Sequence, residues 1–140
     1  MSALIRVQTE DFDINAEIAA LTQSRTDVGA VVTFTGIVRD FALELEHYPG
    51  MTERELRKIE EEAHRRWKLQ ASLIVHRIGK LAPGDNIVLV VTASAHRGDA
   101  FSAAEFLMDY LKTRAPFWKR EGERWVEAKE SDDKAAARWD

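Results

Sequence analysis

Lys112, Arg114, Lys119 and Arg120 place four cations within nine residues, and Tyr110, Phe117 and Trp118 are interleaved with them. A solvated charge run needs no such aromatics. Cations held on a stiff apolar platform suit an anion pocket, and lysine among cations can give or take a proton near neutrality. In a strand, Phe117, Lys119 and Glu121 face one way and Trp118 and Arg120 the other. Lys112 shares a helical stripe with Glu105 and Asp109, so it reads either as a proton-transfer group or as part of a wet face. His96-Arg97 lies between an apolar strand and a helix, where α/β proteins bind anions on free backbone N–H groups. Arg97 can chelate a phosphate bidentately; the alternative is that the pair caps a turn and binds Asp99. Arg39 ends another strand and joins such a site only if that end lies near His96.

Other chemistries are poorly served. The chain has no cysteine, which removes disulfides, thiolate metal sites and any cysteine nucleophile or persulfide relay. His47, His64 and His76 have no zinc-binding spacing, so no metal and no cofactor is expected. A net charge of −4 argues against nucleic acid as a partner. The longest apolar runs, near Ile87–Val91, are too short to span a membrane, and the N-terminal residues lack the pattern of a signal peptide. These features lead to the expectation of a cytoplasmic protein, and 140 residues to that of a single domain over 1–140.

The elements that must position these residues follow from periodicity. Strands are expected at Ala3–Gln8, Gly29–Arg39, Leu43–Tyr48, Ser72–Ile78 and Ile87–Ala95. The last is apolar throughout and reads as buried on both faces. Asp13 caps a helix over Ile14–Ser24, and a Thr52/Glu55 capping box opens another that runs to Trp67. Asp99 is expected to cap a third from Ala100 to Thr113, stopped by Pro116, which disfavours helical geometry at Ala115. A hairpin, Phe117–Glu121 with Arg124–Ala128 around Gly122, and a short helix over Asp132–Trp139 complete the chain. The order reads as α+β, a mixed sheet with helices on one side.

Taken together, several segments resemble the catalytic (large) subunit family of molybdopterin synthase: Gly29-Ala30-Val31-Val32-Thr33-Phe34-Thr35-Gly36, Val38-Arg39, Leu45-Glu46-His47-Tyr48-Pro49-Gly50-Met51-Thr52, His76-Arg77-Ile78-Gly79, Pro83-Gly84-Asp85, Ser94-Ala95-His96-Arg97, the whole of Met108 to Glu121, Arg124-Trp125-Val126-Glu127-Ala128 and Glu130-Ser131-Asp132. The resemblance implies an α/β hammerhead fold with an additional antiparallel β subdomain. It implies sulfur transfer from the C-terminal thiocarboxylate of a small ubiquitin-like subunit to cyclic pyranopterin monophosphate, forming the dithiolene of molybdopterin. It also implies a heterotetramer built on a homodimer of large subunits. The family's two key lysines fall on Lys112 and Lys119, and its substrate-binding residues on Arg39, His96, Arg97, Arg120 and Glu121. Two departures adjoin these positions. Ile37 stands where the family often has a basic residue, and the connection Arg39-Asp40-Phe41-Ala42-Leu43 and the turn Glu121-Gly122-Glu123-Arg124 are each several residues shorter than the resemblance leads one to expect. A non-catalytic adaptor and an enzyme for another phosphorylated metabolite are the competing readings.

Overall fold

The computed structural model describes residues 2–115, 117–121, 124–126 and 130–139; the side chains of residues 2, 121, 124–126 and 130–133 are outside the description. The elements run β1 (Ser2–Gln8), α1 (Ile14–Thr22), β2 (Ala30–Ile37), β3 (Leu43–His47), α2 (Met51–Arg66), β4 (Ala71–Arg77), β5 (Gly79–Leu81), β6 (Asn86–Ser94), α3 (Arg97–Arg114), β7 (Phe117–Glu121), β8 (Arg124–Val126) and α4 (Glu130–Ala137). The α+β class holds. The first sheet has the order β1-β4-β6-β2, with β1 parallel to β4 and the other pairs antiparallel. The second sheet, β5-β3-β7-β8, is antiparallel throughout and forms the expected added subdomain.

The helices do not all lie on one side. Alternation along β4 and β6 sends Ile74, Val88 and Val90 into a core with α2 and α3, and Leu73, Val75, Leu89 and Val91 into a second core with Leu21, Ile18 and Ile14 of α1. A central strand apolar on both faces needs cover on both, and α1 supplies the second layer. β5 was not expected; it pairs with Leu43–Leu45 of β3 and buries Leu81 against Val38, Leu43 and Leu45.

Three of the differences from the expected boundaries have a clear physical cause. β2 ends at Ile37 after a register shift at Gly36/Ile37, because the Val38 N–H leaves the ladder to donate to Asp85 O (2.8 Å) and Val38 O accepts from Gly84. Arg39 is therefore past the strand. α2 opens at Gly50, whose N–H donates to Glu53 Oε1 (3.1 Å), while the Thr52 hydroxyl donates to Tyr48 O (2.9 Å). Gly50 has φ +86°, a left-handed conformation that glycine adopts without the steric cost of a Cβ. α3 begins at Arg97 with His96 as its N-cap, since Asp99 instead accepts from the Lys68 N–H (3.3 Å). Asp13 caps α1 as expected, accepting from Ala16 N (3.1 Å), and Ala115 before the proline is extended, ending α3.

Candidate active site

Lys119 is placed by the β3–β7 ladder. It lies directly opposite Leu45, as Phe117 lies opposite His47. Opposed residues of an antiparallel pair share a face, so Lys119 emerges beside buried Leu45, in the cluster that also holds Val38. Arg39 follows Val38 directly. Its side chain is 82% exposed and, among the described residues, meets Asp40 (3.6 Å), a contact worth little in water. Lys112 is exposed near the end of α3 and lies within electrostatic range of His76, at the end of β4. Phe117 stacks on the same His76, with ring centroids 3.8 Å apart. Arg39, Lys112 and Lys119 thus gather at one end of the first sheet.

His96 and Arg97 lie at the other end. In the β2–β6 ladder Ala30 pairs with Ser94 and Ile37 with Asn86. Arg39 continues from one end of that ladder and His96 from the opposite one, a separation of roughly 25 Å at about 3.3 Å per residue. The helix gives the same answer, since Arg97 and Lys112 are about 22 Å apart along α3 at about 1.5 Å per residue. One chain does not bring all five residues together. His96 and Arg97 are exposed at the first turn of α3, and His96 makes no side-chain capping bond. Gly29 shapes this corner. A Cβ there would sit 2.3 Å from Ala95 O, just before His96, while the Gly29 N–H donates to Ser94 O (2.9 Å). Sequence reading found the glycine but not the contact that requires it.

Arg120 occupies the opposite face of β7 from Lys119, paired with Glu44. It lines a cleft of about 510 Å³ with Leu43, Glu44, Lys80 and Asp85, a lining of mixed charge. The Glu121 side chain lies outside the described residues. Among the described residues, no group of three or more potential ligands could hold a metal ion. No described helix is long and apolar enough to cross a membrane.

Sequence reading missed the histidines at the first end. His76 is buried, its Nδ1 lies 2.8 Å from Arg77 O, and burial pushes it down to about 4, so it is neutral at pH 7. His47 also reaches Phe117, at 6.3 Å between ring centroids, and its buried Nδ1 has no hydrogen-bond partner among the described residues. The available signal was His47 opposite Phe117, which required the strand register. A second polar cluster was also missed. Buried Glu60 of α2 accepts from Ser72 Oγ (2.5 Å), which in turn meets His64 Nε2 (2.8 Å).

Comparison with known proteins identifies the family. The sequence profile described as "MoaE protein" matches residues 7–114. A Mesorhizobium japonicum protein named molybdopterin synthase catalytic subunit is 59% identical, covering 99% of this chain and 94% of its own length. That alignment spans 150 positions, ten more than this chain has residues, so the relative carries positions without a counterpart here. The structure of a molybdopterin cofactor biosynthesis protein E from Burkholderia multivorans superposes with a TM-score of 0.90 at 60% identity, covering 99% of this chain and 97% of that one. A Helicobacter pylori complex of subunits 1 and 2 of molybdopterin-converting factor contains a chain that shares the fold, with a TM-score of 0.74 at 22% identity over 90% of each chain. From the profile match over most of its length and the close relatives along nearly all of it, the chain belongs to the MoaE family.

Proposed function

We infer that this chain is the catalytic subunit of a molybdopterin synthase. It takes sulfur from the C-terminal thiocarboxylate of a small ubiquitin-like subunit and delivers it to cyclic pyranopterin monophosphate, forming the dithiolene. The observation that carries this reading is 59% identity to a protein of that name along 99% of the chain, with Lys112, Lys119, Arg39, His96 and Arg97 all present. The reading takes residues 1–140 as one domain, with Ile87 packing against the cores of both sheets, and the cytoplasm as the compartment.

The chemistry involves two anions, a cyclic phosphate and a thiocarboxylate. Cations fixed in advance offset both charges and orient the groups for reaction. Lys119 stands at the reacting carbon as proton donor or acceptor during sulfur transfer. Lys112 moves a second proton or stabilises charge as the cyclic phosphate opens. Arg39, His96 and Arg97 hold the phosphate and the pterin. The length of the β2–β6 ladder supports a pocket completed by a second copy, whose His96–Arg97 corner faces the first chain's Lys119 end. Val31, Phe34 and Ile37 on the edge strand β2, and Phe101 on α3 at 60% exposure, provide apolar surface for that copy to cover. Sulfur that arrives on a partner also makes the missing cysteine intelligible.

The test mixes the purified protein with thiocarboxylated small subunit and cyclic pyranopterin monophosphate and measures dithiolene product. Turnover is expected with the native chain and loss of it with Lys119→Ala. Full product from Lys119→Ala would remove that lysine's role. Binding of both reactants without turnover would indicate an adaptor, and binding of neither a different enzyme.

A further inference from the structure

The two lysines are carried by different layers. Lys112 belongs to α3, packed on the first sheet, and Lys119 to the second sheet. Backbone pairing fixes Lys119 against β3 but says nothing about where the second sheet sits relative to α3. Among the described residues, one ring contact joins the two sheets: His76 of β4 on Phe117 of β7, at 3.8 Å and 16° between planes. Phe117 lies between the lysines in sequence and shares a strand face with Lys119. Its ring also reaches His47, opposite it in the ladder. The carbonyl of Arg77 can only accept, so Nδ1 of His76 carries the proton and the ring is fixed in one tautomer. Burial keeps that ring uncharged, and a charged one would repel nearby Lys112.

We propose that His76 is a positioning residue for sulfur transfer. By seating Phe117, it sets the placement of Lys119 relative to Lys112. The proposal rests on the role given to Lys119 above. His76 touches no reactant in this scheme, and its effect passes through the ring stack.

Two replacements separate the ring from the hydrogen bond. His76→Phe keeps a flat ring against Phe117 and loses the donor to Arg77. His76→Asn keeps a donor and loses the ring. Dithiolene formation is followed with the full chain and thiocarboxylated small subunit, with kcat and KM determined separately and folding checked by thermal melting. His76→Asn is expected to lower kcat on the order of 10- to 100-fold, the scale of an ångström-sized misplacement. KM and small-subunit binding should stay near native. His76→Phe should stay within about three-fold of native, because aromatic packing is retained. Phe117→Ala should resemble His76→Asn, and combining the two should cost little more than either alone. An active His76→Asn protein, or an inactive but folded His76→Phe protein, overturns the proposal. If His76→Asn fails to fold, the Phe variant and Phe117→Ala still decide: inactive Phe or fully active Phe117→Ala refutes it. Failure of the Lys119 role shows separately, as full activity in Lys119→Ala.

Discussion

Replacing Glu60 by glutamine should stabilise the protein, and the gain should grow with pH. Glu60 is 1% exposed, accepts from Ser72 Oγ and the Leu4 N–H, and is pushed up from 4.5 to about 8, chiefly by burial. Since the folded state favours the neutral acid, its stabilisation is complete below pH 4.5 and is lost as pH rises toward 8. At pH 7 the loss is about 3 kcal/mol, from about 1.4 kcal/mol per pH unit. Between pH 7 and 8.5 a further loss of about 1 kcal/mol follows from the same linkage. Glutamine keeps the shape and an acceptor for Ser72 without titrating. The variant should therefore melt about 10 °C higher at pH 7, on the scale of a domain this size. Urea unfolding of both proteins at pH 6, 7 and 8.5 gives the difference directly. Subtracting the two curves removes the slopes of groups that titrate independently of Glu60, while His64, linked to it through Ser72 and held below its usual value by desolvation, stays neutral above pH 7. Equal stability at pH 7 with parallel pH slopes would refute the reasoning, because it would mean that Glu60 ionises at an ordinary pH in its buried setting.

Mixing Arg97→Ala with Lys119→Ala, each inactive alone, should restore about a quarter of the native rate after subunit exchange. Half the two-fold dimers are then mixed, and each of those holds one pocket with both groups intact. No recovery in the dithiolene assay, with exchange verified by a tagged subunit, would place the whole site in one chain. Gly29→Ala should cost about 1–3 kcal/mol through overpacking, because its methyl would collide with Ala95 O, and a denaturation midpoint equal to native would remove that contact from the account.

Legibility from sequence divided along physical lines. Whatever is written in local periodicity could be read: the Asp13 cap, the doubly apolar β6 and the end of α3 before Pro116 all stand at or near their expected places. Local signals that compete were resolved by tertiary contacts. Asp99 can cap a helix, but pairing with the Lys68 N–H draws it away, and α3 starts three residues earlier. Thr52 with Glu55 resembles a capping box, but the Pro49-Gly50 turn begins the helix sooner and gives the role to Glu53. Glu60 was hidden among the acidic residues of α2, although its place four residues after Leu56 and three before Ala63 puts it, unlike Glu61, on the buried face of the helix. The candidate site residues could be named from their chemistry, but their distribution over the fold could not. That Arg39 and His96 lie at opposite ends depends on which end of β2 meets which end of β6, and no spacing in the sequence encodes strand direction.

α3 carries Arg97 in its first turn and Lys112 near its last, and it is held along its length. Thr92 Oγ1 donates to Ala100 O (2.7 Å) near the start, and the Trp139 indole and Arg138 both bind Asp109 near the end (2.6 and 2.9 Å). In a dimer whose pockets each draw on both chains, such a helix is a strut with one foot in each pocket. In such a dimer, an anion pulling on Arg97 in one pocket would load the same helix that seats Lys112 in the other. Any cooperativity between the two turnovers would then be carried by α3, and by linkage it must act equally in both directions on binding.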